Sequence, residues 1–166
     1  MNSVQIAICA LPSLFLDRIP ADPALLQSAV ESAGFTATSI DLSIDFFINQ
    51  CKKDIEKYET LSSVFRPNNE LLSEGAEASA QEWLIMSINK LKLINPTVIG
   101  LSIFTNYQHT AAYMLATAIR KELPNVKIIL GGFGLTINCN GLAWLPLIKK
   151  IDLIKPFWQF MTDKQL

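Results

Sequence analysis

The apolar positions of the chain alternate between short continuous runs and helical stripes. Residues 4–11 (VQIAICAL) form an apolar run that ends at a proline, which is typical of a strand buried on both faces of a parallel sheet. Residues 22–34 predict a helix, because Asp22 can cap it, Pro23 suits its first position and Gly34 can end it. We expect its apolar face to consist of Leu25, Leu26, Ala29, Val30 and Ala33.

The middle of the chain continues this alternation with a long helical insertion. Residues 36–42 (TATSIDL) predict a second strand, and residues 98–104 (VIGLSIF) predict the strongest and most central strand. The insertion, residues 43–93, predicts two amphipathic helices, over 44–58 and 70–93, which an Arg-Pro-Asn-Asn segment separates.

The last third of the chain predicts two more strands. Residues 107–123 predict a helix, and residues 126–130 (VKIIL) predict a fourth strand that continues directly into a Gly-Gly-Phe-Gly segment. A weak helix over 142–149 and a short strand over 152–154 complete the alternation.

Strands alternating with helices predict a flavodoxin-like, doubly wound α/β fold. Its five parallel strands are expected in the order 2-1-3-4-5, with helices on both faces of the sheet. Such folds bind ligands at the carboxyl ends of the strands, where the strand order reverses. The loops over residues 12–21, 104–107 and 131–141 are therefore the candidate ligand-binding segments.

Composition limits the partners of this domain. The chain has 166 residues, 50% of them hydrophobic, which suits one globular domain. A net charge of −1 disfavours nucleic acid, and no apolar run approaches the roughly 18 residues of a membrane-spanning helix. Cys9, Cys51 and Cys139 are widely separated, so we expect reduced thiols and a cytoplasmic protein without membrane association.

The candidate loops lack the motifs of several common ligands. The first loop has no G-x-G-x-x-G for a dinucleotide, no hydroxyl-rich flavin phosphate loop and no Gly-Lys-Ser/Thr. Pro12 and Thr105 stand where a phosphoacceptor domain needs acids. Independent catalysis is not expected, because one histidine and scattered acids cannot assemble a nucleophile, a base and an orienting group.

The ends of the third and fourth strands carry a motif of small residues. Ser102 and Phe104 stand at the end of one strand, and Gly131-Gly132 follows the next. This pattern resembles the Ser-x-Leu and Gly-Gly signature of cobalamin-binding domains of the methionine synthase type, with Phe104 in place of leucine. The resemblance implies that a hydroxyl and small side chains accommodate the nucleotide tail of the corrinoid.

That signature also contains Asp-x-His-x-x-Gly, which this chain lacks. The single histidine, His109, belongs to the first turn of a predicted helix, where we expect it to face solvent rather than to bind cobalt. A domain without that motif is similar to the cobalamin-binding domain of B12-dependent radical SAM enzymes. The segments that carry this resemblance are Ala10-Leu11-Pro12, the helix from Pro23 to Gly34, Ile40-Asp41-Leu42, residues 96–105 and Gly131-Gly132.

The resemblance implies a function, a cofactor and a partner. The chain would hold cobalamin, without a histidine on its cobalt, for methyl transfer by a radical SAM domain or subunit. The implied cofactor contacts are Pro12, Ser13, Ser102, Phe104, Thr105, Asn106, Gly131, Gly132, Phe133 and Gly134. No Cys-x-x-x-Cys-x-x-Cys is present, so no iron–sulfur cluster is expected in this chain.

Two further expectations concern domain organisation and an alternative function. Residues 1–155 would form the cobalamin-binding domain, with the helical insertion at 43–93, and residues 156–166 a C-terminal tail or the start of a missing domain. The alternative is a non-enzymatic α/β interaction or regulatory domain that binds no B12. In that case the glycine loop is structural and the insertion binds another protein.

Overall fold

The computed structural model describes residues 4–12, 22–66, 73–132, 134 and 153–156. The strands are β1 (Ile6–Ala10), β2 (Ala37–Asp41), β3 (Val98–Ser102), β4 (Lys127–Gly132) and β5 (Leu153–Pro156). The α-helices are α1 (Asp22–Ser32), α2 (Leu42–Asn49), α3 (Ile55–Leu61), α4 (Ala76–Ile94) and α5 (His109–Glu122). Short 3-10 helices, Ser62–Phe65 and Asn106–Gln108, precede α4 and α5.

The strands form a parallel sheet. Strands β2, β1, β3 and β4 lie side by side in that order, and β5 pairs in parallel with β4. The prediction of an α/β fold built on a parallel sheet is therefore confirmed. The chain steps from β1 to β2 in one direction and then crosses to β3 and β4 in the other. Because such crossovers are right-handed, α1 lies on the face opposite to α4 and α5.

One face of the sheet carries the main hydrophobic core. Alternate strand residues point to the same face, so every second position of β1, β3 and β4 contributes to this core. Helices α2, α4 and α5 pack over this face and cover the core. Trp83 of α4 is 1% exposed, and its Nε1 donates to the carbonyl oxygen of Leu42, 3.0 Å away. The strand residues of this core are Ala7, Cys9, Ile40, Ile99, Leu101, Ile128 and Leu130.

Helix α1 packs on the other face of the sheet, but the side of the helix that faces the sheet differs from the predicted apolar face. Its start was predicted correctly, but the predicted apolar face is largely exposed, with Leu25 67% and Leu26 36% accessible. The face turned inward keeps Val30 of the predicted set and otherwise carries Pro23 and Gln27. Gln27 Oε1 accepts a 2.8 Å hydrogen bond from the backbone N–H of Ser39 on edge strand β2, and this polar contact orients the helix.

The insertion between β2 and β3 contains more breaks than its sequence predicts. The helix predicted over 44–58 is divided into α2 and α3, because Lys52 and Lys53 adopt left-handed φ values of 56° and 66°. Asp54 then caps α3 by accepting from the N–H of Lys57 at 3.0 Å. Helix α4 begins at Ala76, later than predicted, after Gly75 with φ of 81°.

The remaining predictions differ in their boundaries. Strand β3 ends at Ser102 rather than at residue 104, and β4 extends through Gly132. The weak helix predicted over 142–149 lies outside the described residues, and β5 corresponds to the strand predicted over 152–154. The helices of the described segments include none that could span a membrane.

Candidate functional site

A row of small residues crosses the sheet at the carboxyl ends of three strands. Ala10 of β1 is in register with Ser102 of β3, and Ser102 with Gly131 of β4. These positions alternate with the core residues, so the row lies on the α1 face of the sheet. Ala10 is 2% exposed and Ser102 is 7% exposed. The sheet therefore presents almost no side-chain bulk along this row.

Gly100 extends this small-residue surface by one step along β3. Its neighbour across the sheet is Ile8 of β1. A Cβ atom built on Gly100 would come no closer than 3.9 Å to the carbonyl oxygen of Ala7 or to the side chain of Ile8. The backbone therefore does not require glycine at this position. Because glycine has no side chain, it leaves space on the α1 face of the sheet.

The segment after β3 leads from this row to the edge of the sheet. Ile103 is fully buried, whereas Phe104 is 47% exposed and Asn106 is partly exposed. The Oγ1 of Thr105 is buried, and Thr105 forms a capping box with Gln108 at the start of the 3-10 helix. A hydroxyl in that condition can still donate to or accept from a ligand.

Gln108 holds the ends of β1 and β3 together, and sequence reasoning missed it. Its side chain is fully buried and uses both ends of its amide. Oε1 accepts from the N–H groups of Phe104 at 2.7 Å and Thr105 at 3.0 Å, and Nε2 donates to the Leu11 carbonyl oxygen at 2.6 Å. The available signal was a glutamine three residues before Ala111, on the buried stripe of α5.

The glycines at the end of β4 and directly after it pack against the segment after β3. The N–H of Ile103 donates to the Gly131 carbonyl, and the N–H of Gly134 donates to the Ile103 carbonyl, both at 2.8 Å. Gly132 has φ of 115°, and a Cβ on it would lie 2.2 Å from the Ile103 oxygen. A Cβ on Gly134 would lie 2.8 Å from the Thr105 nitrogen. Close backbone contact thus requires glycine at positions 132 and 134.

His109 is half-buried rather than solvent-facing as predicted. Its Nε2 lies 3.1 Å from the Gly134 carbonyl oxygen. A carbonyl oxygen only accepts, so Nε2 carries the proton and presents no lone pair to a metal. Burial lowers the pKa of the imidazole, while the hydrogen bond to Gly134 opposes this shift. The prediction failed because the sequence does not show that the glycine segment folds over the start of α5.

The structure brings most of the predicted cofactor contacts to one edge of the sheet. Pro12 is buried directly after Leu11, whose carbonyl is bound by Gln108. The segment after β3 and the glycines after β4 meet at Ile103. Ser13 and Phe133 lie outside the described residues. The described residues contain no cluster of His, Cys, Asp or Glu suited to a metal ion.

Comparisons with known proteins gave one similar structure. No protein-family model and no curated protein sequence matches the chain. A radical S-adenosylmethionine methyltransferase, TsrM from Kitasatospora setae, solved with tryptophan substrate and a SAM analogue, is similar with a TM-score of 0.46. Sequence identity is 14%, over 79% of this chain and 20% of that chain. This chain thus spans about a fifth of that protein, and no residue role follows from the similarity.

Proposed function

We propose that this chain binds cobalamin without a protein histidine on the cobalt and presents it to a radical SAM domain or subunit for methyl transfer. The observation that carries the proposal is the row Ala10, Ser102 and Gly131 on the α1 face of the sheet. The proposal includes a flavodoxin-like sheet of five strands and a cobalamin-binding domain over residues 1–155.

The first support is steric. The nucleotide tail of a corrinoid is long and must lie against a sheet whose side chains leave room for it. The side chains in the row are only the methyl group of Ala10 and the hydroxymethyl group of Ser102, and Gly131 has none. Gly100, two residues before Ser102 on β3, also has no side chain. Leu101 and Leu130 point to the opposite face, and the bulky residues of the α1 face, Ile8 and Ile129, lie one step further from the carboxyl ends, on either side of Gly100. The tail would therefore occupy the α1 face.

The second support is polar. Ser102 places a hydroxyl in the row, and the hydroxyl of Thr105 is buried three residues further along the chain. Both can bind the phosphate or ribose oxygens of a nucleotide tail. The exposed ring of Phe104 offers apolar contact at the edge of the sheet. Pro12, Ser13, Asn106 and the segment from Gly131 through Phe133 to Gly134 complete the proposed contacts.

The third support concerns the metal. When bound, cobalamin supplies the methyl-transfer chemistry at its cobalt, while the protein supplies binding and orientation. His109 Nε2 is directed at the Gly134 carbonyl oxygen, so the imidazole acts in holding the glycine segment. We therefore expect the cobalt to have no histidine ligand from this chain.

Cobalamin binding can be measured directly. We would incubate the purified chain with hydroxocobalamin or methylcobalamin, remove free cofactor by desalting, and record visible spectra at neutral and acidic pH. The expected result is stoichiometric cobalamin with a base-off spectrum that lacks a histidine ligand. A colourless protein would contradict the proposal and favour the interaction-domain alternative.

A pair of serine variants tests the location of the site. In Ser102→Leu, an isobutyl group would fill the row, so we expect cobalamin retention to fall at least about tenfold, the effect of roughly 1.4 kcal/mol. The matched control is Ser39→Leu, which adds the same group at an exposed position of β2. Circular dichroism and thermal unfolding would verify that both variants fold. Equal retention by folded Ser102→Leu and Ser39→Leu would place cobalamin elsewhere.

A further inference from the structure

Helices α4 and α5 form an apolar groove on the face of the sheet opposite to α1. The groove has a volume of about 540 Å³. Its apolar lining comes from both helices and consists of Leu84, Ile85, Ile88, Tyr113, Met114 and Ala118. The groove is thus separate from the proposed cofactor site, since the sheet lies between them.

Helix α4 exposes large apolar side chains in and near this groove. Ile85 is 61% accessible, and Leu93, two turns further along α4, is 87% accessible. Exposed apolar surface of this kind gains free energy when another surface covers it.

Charge is distributed unevenly along the groove. Glu77 and Glu82 are exposed on the amino-terminal half of α4. At the carboxyl-terminal ends of both helices, the groove is lined by Lys92 and Lys121, together with the acid Glu122. These two ends are adjacent, because Lys92 Nζ lies 2.7 Å from Glu122 Oε2. The groove therefore has an acidic end and a basic end.

We propose that the α4–α5 groove binds a second copy of this chain in an antiparallel, two-fold arrangement. The two-fold axis would pass near Ile85, so that the acidic end of each copy faces the basic end of the other. Opposed helix dipoles favour the same orientation. Such an interface is self-complementary, as the contact of a two-fold dimer must be.

The charge pattern along the groove favours a second copy of this chain over an unrelated partner. Association of two identical surfaces in a parallel orientation would oppose Glu77 to Glu77 and Lys121 to Lys121. The antiparallel orientation pairs opposite charges instead, and this steers association and fixes the register. The groove lies on the face of the sheet opposite to α1, so the proposed cofactor site takes no part in this interface.

Sedimentation equilibrium over a wide concentration range tests the dimer. We expect the full chain to dimerise, and Ile85→Lys to raise the dissociation constant by about 30-fold or more, the size of an interface hot spot. The matched control is Ile55→Lys on α3, because Ile55 is 62% exposed and Ile85 is 61% exposed. This control should dimerise normally. A monomer at every soluble concentration, or a dimer insensitive to Ile85→Lys, would overturn the proposal.

Charge reversal provides a test that structural damage cannot imitate. The variant E77K/E82K should dimerise at least about tenfold more weakly than the native chain, and so should K92E/K121E, because each places like charges in opposition. Mixing the two variants should form a mixed dimer more stable than either variant alone. Failure of the mixture to associate would contradict the antiparallel arrangement. Cobalamin retention is read separately, so each proposal can fail without the other.

Discussion

Gln108 joins two backbone segments that lie far apart in the sequence. Its amide binds the carbonyl of Leu11 after β1 and the N–H groups of Phe104 and Thr105 after β3. The side chain is fully buried, so the Leu11 carbonyl would lose this hydrogen bond in a buried environment if the amide were removed. At the residue scale, this glutamine sets the shape of the candidate site.

Replacing Gln108 with methionine should be strongly destabilising. Gln108→Met keeps the length of the side chain but removes its three hydrogen bonds to backbone groups, so we expect a loss of about 3 kcal/mol in the free energy of unfolding. Urea denaturation measures this loss. Gln81→Met on the exposed surface of α4 is the control and should change stability by less than about 0.5 kcal/mol. Comparable stability of the two variants would show that the Gln108 network contributes little.

The sequence could predict the small residues of the site but not this network. Ser102 and Gly131 are recognisable because each stands at the end of an apolar strand. Gln108, in contrast, binds a residue 97 positions away, and local pattern carries no information about such a contact. His109 was misplaced for the same reason, because its partner Gly134 lies 25 positions further on.

The segments after β3 and β4 form one unit at the scale of elements. Hydrogen bonds link Ile103 to Gly131 and to Gly134, and Gly132 lies so close to Ile103 that no side chain fits between them. The two candidate loops therefore depend on each other for their conformation. A change in one should distort the other.

Two glycine-to-alanine variants distinguish the cost of a steric clash from the cost of a left-handed backbone conformation. Gly34 and Gly132 both have positive φ, 89° and 115°, but a Cβ on Gly34 meets nothing within 4 Å. We expect Gly34→Ala to lose about 1 kcal/mol of stability for the left-handed conformation alone. Gly132→Ala should lose at least twice as much, because its Cβ would collide with the Ile103 carbonyl. Thermal unfolding of both variants measures the difference, and equal losses would argue against the close contact.

The spacing of apolar residues predicted which segments form helices and strands better than it predicted which of their residues make contacts. The start of α1 follows from Asp22 and Pro23, but its inward face follows from the hydrogen bond of Gln27 to strand β2, which no apolar count reveals. The break between α2 and α3 contains neither glycine nor proline. Lys52 and Lys53 adopt left-handed conformations there, so tertiary packing overrides their intrinsic preference.

At the scale of the whole molecule, the two faces of the sheet differ in character. One face is filled by the side chains of α2, α4 and α5, and includes the thiol of Cys9. The other carries the row of small residues under α1. A thiol on the filled face should therefore be inert, whereas the opposite face carries the proposed cofactor site.

The reactivity of the cysteine thiols tests whether the core on the filled face is accessible to reagents. Burial raises the pKa of Cys9 from 9.0 to about 12, although Lys90 opposes the shift. Burial likewise raises the pKa of Cys51 to about 11. In a Cys139→Ser protein at pH 8, we expect neither thiol to react with a disulfide reagent until urea unfolds the chain. Rapid modification of the native protein would contradict the closed core.

The same pKa shifts predict how stability varies with pH. The folded-state pKa of each thiol lies above its ordinary value, so the folded state retains these protons where the unfolded state has lost them. The stability that the neutral thiols provide is complete below pH 9 and declines as the pH rises toward 12. Cys9→Ala and Cys51→Ala should each reduce this decline in alkaline denaturation.

The Gln108 contacts also provide an internal reporter of ligand binding. The amide protons of Phe104 and Thr105 are held by one side chain that is anchored to the loop after β1. Their exchange with deuterium therefore depends on how often this anchor opens, not on either loop alone. A ligand that immobilises residues near Pro12 would slow exchange at Phe104 and Thr105 without contacting either amide.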